Sequence, residues 1–139
     1  MVSDLLVAPY RKGQAEIKKS FAVGVGPSRD IEDAVLSLRD LVEDEDLDEA
    51  LVQRVAWMND WEQIVLGGEP RKHWKREEAA DTITAVCAPK ELERILAAMK
   101  TLRPHVRESR LASWDEFTSF LHACAKNGGT VCLWYDPMG

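Results

Sequence analysis

The chain has 139 residues and a formal net charge of −6, with 45% hydrophobic and 30% charged residues. This length suffices for one domain, residues 1–139, whose hydrophobic core needs no disulfide or metal to hold it together. The composition is that of an ordinary globular protein. It has no apolar run long enough to span a bilayer and no basic-then-apolar leader at Met1, which predicts a cytoplasmic protein without a membrane partner.

The first 25 residues predict a β-hairpin. Residues 4–8 form a short apolar run that Pro9 ends, and the odd positions of residues 15–25 are apolar apart from Lys19. Alternation with a period of two is typical of a strand that has one covered face. A turn at Gly13 would join the two strands.

Apolar residues at intervals of three and four predict a helix over residues 28–43. This helix leads into an acidic run, because seven of the ten residues 40–49 are Asp or Glu. Helix capping and the positive end of a following helix explain only part of this density, since like charges placed so closely repel one another. The run is either a solvated turn between helices or a surface that meets positive charge on another molecule.

The longest apolar segment with a helical period predicts a helix over residues 47–66. Asp46 and Glu49 are spaced as a variant of the capping box at the start of this helix. Trp57 and Trp61 are four residues apart and would be neighbours on it. Both could belong to the core, or one edge of the pair could be an aromatic anchor for a partner.

Residues 67–78 predict a long loop with a basic, aromatic centre. That centre contains Arg71, Lys72, His73, Trp74, Lys75 and Arg76. Such a loop can contact phosphate and stack a base, fold back on the acidic run, or stay solvated. Nucleic acid is the less favoured partner, because affinity for a polyanion depends on many contacts and this patch is short.

The second half of the chain predicts two central strands separated by two helices. Residues 81–87 and 130–135 are apolar or β-branched nearly throughout, as buried strands are. Pro89 suits the first position of one helix, and Ser113 with Glu116 matches a capping box that would begin the next. The element order β-β-α-α-β-α-α-β predicts an α/β or α+β domain, with about four helices covering a small mixed sheet of about four strands.

The sequence predicts no catalytic, cofactor or metal site. The turn at residues 24–28 has glycines between a strand and a helix, but it lacks the rest of a phosphate-binding fingerprint. An odd cysteine count in apolar settings predicts reduced core thiols. For an enzyme, Tyr135 and Asp136 would be the residues to inspect first, since ligands often bind at strand ends in open sheets.

Charge is divided unevenly between the two halves of the chain. Residues 1–70 contain 7 Lys/Arg and 15 Asp/Glu, whereas residues 71–139 contain 11 Lys/Arg and 9 Asp/Glu. An acidic first half without catalytic motifs predicts a protein that binds a partner with a basic surface, and inhibition of that partner is one form such binding could take. In bulk the chain is similar to small acidic proteins that neutralise a cationic toxin enzyme, as bacterial immunity proteins do, although no residue motif carries this analogy.

The predicted partner-binding residues are Asp40, Glu43, Asp44, Glu45, Asp48, Trp57 and Trp61. There are two alternative functions. One is a nucleic-acid-associated protein that uses Arg71, Lys72, Trp74, Lys75 and Arg76. The other is a small enzyme with its site at a strand end. The sequence leaves the identity of the partner and the oligomeric state open.

Overall fold

A β-sheet packed against five α-helices forms the described part of the chain in a computed structural model, which covers residues 4–44, 46–65, 73–79 and 82–136. The strands are β1 (Asp4–Arg11), β2 (Gln14–Ala15), β3 (Phe21–Ala22), β4 (Trp74–Ala79), β5 (Thr82–Cys87) and β6 (Thr130–Asp136). The helices are α1 (Gly26–Leu41), α2 (Glu49–Val55), α3 (Trp61–Val65), α4 (Pro89–Leu102) and α5 (Glu108–Ala125).

The sheet has the strand order β2-β1-β6-β5-β4, and β3 also pairs with β1. At its centre Val7 lies opposite Leu133, which lies opposite Ala85 on its other side. The α+β class is therefore confirmed, and β5 and β6 are interior strands as predicted. Every pairing is antiparallel, so the sheet is not mixed.

One face of the sheet packs against the helices. Alternate strand residues join the hydrophobic core on that face, namely Leu5, Val7, Ile83, Ala85, Cys87, Val131, Leu133 and Tyr135. Because successive side chains of a strand point to opposite faces, the residues between them form a second face, here called the outer face. Tyr10, Val86 and Trp134 belong to this outer face.

Residues 15–25 do not form one strand, which corrects the predicted hairpin. The turn at Gly13 is present, but after β2 the chain makes a 3-10 turn over Ile17–Lys19 before β3. The hydroxyl of Ser20 donates to the carbonyl of Ile17 at 2.6 Å, which takes the backbone out of the sheet. The apolar residues do alternate in this segment, but the local bond from Ser20 replaces the hydrogen bonds that a continuous strand would make with its neighbour.

The predicted helix over residues 47–66 is broken into two. It comprises α2, a 3-10 turn over Ala56–Met58, and α3. The side-chain amide of Asn59 donates to the backbone carbonyl of Glu32 in α1 at 3.1 Å. The carboxylate of Asp60 pairs with Arg39 of α1 at 3.5 Å. These two bonds hold the break against α1, and periodicity cannot reveal them because the apolar spacing continues on both sides.

The start of α2 also differs from the prediction. The N-cap is Asp48, whose Oδ1 accepts from the backbone N–H of Ala50 at 2.9 Å. Asp46 has a φ of 54° and lies outside the helix. The capping box predicted from Asp46 and Glu49 is therefore wrong by two residues.

Helix α5 begins at Glu108, five residues before the predicted capping box. Ser113 lies inside the helix and donates its hydroxyl to Oδ2 of Asp30 in α1 at 2.5 Å. Arg110 adds ion pairs to Asp30 at 3.6 Å and to Asp33 at 3.4 Å. Ser113, which was predicted to cap a helix, therefore joins α5 to α1.

Candidate functional site

The acidic run forms one wall of a cleft between the end of α1 and the start of α2. This acidic cleft has a volume of about 530 Å³. It is lined by Arg39, Asp40, Val42, Glu43, Asp44, Glu49, Val52 and Gln53. The cleft therefore combines four carboxylates with two valine side chains.

The carboxylates of the acidic cleft face solvent. Asp40, Glu43, Asp44 and Glu49 are exposed, and among the described residues none of them forms an ion pair. Arg39 lines the same cleft but pairs with Asp60. The C-terminal end of α1 carries the negative end of a helix dipole, which adds to the negative potential there.

The other two predicted acidic residues lie differently. Asp48 is exposed, but its carboxylate caps α2 through the N–H of Ala50. Glu45 lies outside the described residues. The structure thus brings Asp40, Glu43 and Asp44 together at the cleft and gives Asp48 a structural role.

The two predicted aromatic anchors are separated from the acidic cleft. Trp57 is only 2% exposed, and its ring lies 5.4 Å from that of Trp74 and 6.1 Å from that of Phe117. Trp61 is half-buried, and its ring lies 6.4 Å from that of Tyr135. Neither tryptophan lines the cleft. Trp57 is a core residue that can reach a partner only if the core opens.

The predicted loop over residues 67–78 includes a strand, so the prediction of a loop there is wrong in part. Residues 74–79 form β4, which is paired along its length with β5. Trp74 is 6% exposed and packs in the core, so little of its ring is open for a base to stack on. Lys75 and Arg76 point to opposite faces of the sheet. Arg71 and Lys72 lie outside the described residues.

A second cavity, here called the basic cavity, opens on the outer face of the sheet. It has a volume of about 560 Å³ and is lined by residues from β1, β4, β5, β6 and the start of α4. Arg11, Lys12 and Lys75 line it together with Tyr10 and Glu77. Sequence reasoning missed this cavity because its residues come from distant segments and no local pattern connects them.

Hydrogen bonding fixes one wall of the basic cavity. The hydroxyl of Tyr10 donates to Oε2 of Glu77 at 3.4 Å, and Lys75 lies 3.9 Å from the same carboxylate. Desolvation first, and then the charge of Glu77, raises the pKa of Tyr10, so this hydroxyl keeps its proton.

The turn at residues 24–28 and the end of β6 are packed with side chains of the protein itself. In the turn at residues 24–28, the hydroxyl of Ser28 accepts from the N–H of Gly24 at 3.1 Å and donates to the carbonyl of Val25 at 2.9 Å. Ser28 is fully buried, and its hydroxyl already takes up the N–H of Gly24, which a phosphate bound in this turn would need. Tyr135 packs against Trp61 on the helix side of the sheet.

The three cysteines are free thiols buried in the protein, as predicted. Burial raises the pKa of Cys87, Cys124 and Cys132 to about 12 in each case. A thiol of that kind is protonated at neutral pH and is a poor nucleophile. Within residues 4–44, 46–65, 73–79 and 82–136, no group of three or more His, Cys, Asp or Glu side chains is placed to hold a metal ion.

Comparisons with protein-family models, with curated proteins and with solved structures each find no match for this chain. None of the helices in the described residues combines the length and the apolar character needed to cross a bilayer.

Proposed function

We propose that this chain binds a partner protein with a basic surface, and that the acidic cleft receives a lysine or arginine side chain of that partner. The observation that carries the proposal is the set of exposed carboxylates, Asp40, Glu43, Asp44 and Glu49, without ion pairs among the described residues. If arginines and lysines of this chain neutralised these carboxylates, an external cation would gain little electrostatic energy by binding to them.

The composition of the cleft fits a long cationic side chain. Val42 and Val52 offer an apolar surface for an aliphatic stem, while the carboxylates around them suit an ammonium or guanidinium group. Arg39 lines the cleft as well, but its pairing with Asp60 leaves the balance of the lining acidic.

The charges would act mainly on the rate and selectivity of association. An exposed ion pair contributes roughly 0–1 kcal/mol, so four of them cannot by themselves produce tight binding. Complementary potentials speed encounter and disfavour wrong partners. The partner class that fits is therefore a basic protein, for example a cationic enzyme that this chain would inhibit by covering it.

The alternative of a nucleic-acid-associated protein has less support. Burial of Trp74 leaves little of the stacking surface on which that alternative depended. The small-enzyme alternative also has less support, because Ser28 occupies the turn at residues 24–28 and none of the cavities described above is lined by Tyr135 or Asp136.

Charge reversal at the cleft tests the proposal. The variant Asp40→Lys/Glu43→Lys/Asp44→Lys places positive charge at the C-terminal end of α1, where it favours the helix, so the variant should fold. A matched control, Glu62→Lys/Glu93→Lys/Glu116→Lys, makes the same change in net charge at exposed positions outside the cleft.

Immobilised wild-type and control proteins should retain the same basic protein from a lysate of the source cells, and the cleft variant should lose it. Retention should weaken when the salt concentration rises from about 0.1 M to 1 M, because the Debye length falls from roughly 10 Å to 3 Å. Equal retention by the cleft variant and the wild type would refute the proposal.

A further inference from the structure

We infer that the basic cavity on the outer face of the sheet binds a small organic anion, a molecule with a carboxylate or phosphate group attached to an apolar body. This site is separate from the acidic cleft and does not depend on the proposed function. The inference rests on the shape, the charge and the lining of the cavity.

The size of the cavity suits a small molecule. Its volume of about 560 Å³ falls within the range of roughly 300–1,000 Å³ that is typical of ligand pockets. Strands β1, β4, β5 and β6 contribute to its lining, so the hydrogen bonds of the sheet hold most of the lining residues in place. A cavity built on strands is largely formed before a ligand arrives.

The charge of the cavity is opposite to that of the chain as a whole. The net charge of the chain is −6, yet the charged side chains of the lining are Arg11, Lys12 and Lys75 against Glu77 alone. Arg11 and Lys12 are exposed and form no ion pair with any described residue. Two cations are thus available to an incoming anion, and attraction to it would be local rather than spread over the surface.

Glu77 does not cancel this attraction. Its carboxylate accepts from the Tyr10 hydroxyl at 3.4 Å and has Lys75 at 3.9 Å, so part of its charge is already balanced. Arg11 and Lys12, by contrast, form no ion pair with any described residue. The anionic group of a ligand would therefore bind towards Arg11 and Lys12.

The rest of the lining favours an apolar body. Val86, Ala88 and Pro89 contribute aliphatic surface beside the lysines. A free inorganic ion would leave this surface in contact with water, whereas an aromatic or aliphatic group would cover it. The three cations are too few for a nucleic acid, whose binding commonly uses about 6–10 phosphate contacts.

Titration with defined probes tests the inference. We expect phenyl phosphate or benzoate to give saturable shifts in the backbone amide resonances of the cavity residues. Benzyl alcohol, of similar size but neutral, should give none, and inorganic phosphate should bind more weakly than phenyl phosphate. A preference between phenyl phosphate and benzoate would identify the anionic group.

The matched variants are Arg11→Gln/Lys12→Gln in the cavity and Arg94→Gln/Lys100→Gln at exposed positions outside it. The cavity variant should bind the organic anion about tenfold more weakly, as expected from the loss of two exposed charge contacts. The control variant should bind like the wild type, and unchanged amide spectra outside the cavity would show that both variants fold.

Three results would overturn the inference: no saturable binding of either anionic probe to the wild type, equal affinity of the cavity variant, or equal binding of benzyl alcohol. A single-stranded oligonucleotide that binds more tightly than phenyl phosphate and depends on Arg11 and Lys12 would assign the cavity to nucleic acid instead.

Discussion

The hydroxyl of Tyr10 in β1 lies 3.4 Å from Oε2 of Glu77 in β4, although β6 and β5 separate these two strands in the sheet. Such a bond requires the outer face to be concave. In the register of the strands, a line between these residues passes over Cys132 and Val86. This explains how Cys132, which faces away from the helices, is 0% exposed.

Removing the Tyr10 ring should expose Cys132. We expect Tyr10→Ala to speed labelling of this cysteine by a thiol reagent, because the side chain that covers it is lost. Tyr10→Phe keeps the ring and loses only the hydrogen bond to Glu77, so it should stay close to the wild-type rate. Peptide mass spectrometry would identify the labelled cysteine. Labelling of Cys132 at the wild-type rate in Tyr10→Ala would show that another group covers it.

The stability of the protein should decrease in alkaline solution. Burial raises the pKa of Cys132 from its ordinary 9.0 to about 12, so the unfolded chain loses this proton first as the pH rises. The contribution of Cys132 to the free energy of unfolding is therefore fully present below pH 9.0 and is lost as the pH rises from 9.0 to about 12. Cys87 and Cys124 behave in the same way.

Urea unfolding at a series of pH values would measure this loss. The variant Cys132→Ala should show a shallower decrease than the wild type above 9.0, the ordinary pKa of the thiol, because one of the three buried thiols is absent. Parallel decreases in the two proteins would mean that Cys132 does not contribute.

The cap of α2 gives a comparison between two neighbouring aspartates. Asp48→Ala should lower the free energy of unfolding by about 1 kcal/mol, because the N–H of Ala50 loses its acceptor. Asp46→Gly should change it little, since glycine readily adopts the φ of 54° that Asp46 has, and Asp46 precedes the helix and lines neither cavity described above. Urea denaturation of both variants decides the matter, and a larger effect at Asp46 would restore the capping box read from the sequence.

The two tryptophans of the broken helix should differ in their effects on stability. Trp57→Ala should cost about 3–5 kcal/mol, as truncation of a buried aromatic side chain does. Trp61→Ala should cost clearly less, because Trp61 is half-buried. Should Trp57→Ala be too unstable to purify, Trp57→Phe against Trp61→Phe gives the same order. The reverse order would contradict the core position of Trp57.

Local sequence patterns correctly predicted the helices and strands whose conformation is not changed by contacts with distant residues. Helix α1 was predicted over residues 28–43 and occupies Gly26–Leu41, because its apolar stripe is continuous. Pro89 marked the start of α4, and β5 and β6 followed from their β-branched and apolar runs. In each case the local pattern and the tertiary contacts favour the same structure.

The prediction failed where a contact between distant residues decided the structure. Asn59 and Asp60 bond to α1 and break the helix, and Ser113 bonds to Asp30 instead of capping α5. The charged residues of β4 look like a loop, yet pairing with β5 makes them a strand. The basic cavity had no sequence signal, because Lys12 and Lys75 line the same cavity only when the sheet forms.

The pairing of β1 with β6 has a consequence for the order of events during synthesis. Val7 is made near the beginning of this chain and Leu133 near its end, yet they are direct neighbours. Until β6 leaves the ribosome, the inner edge of β1 has no partner and β5 lacks its central neighbour. Contacts between residues so far apart in sequence are slow to form. The sheet can therefore close between β1 and β6 only after β6 has been made.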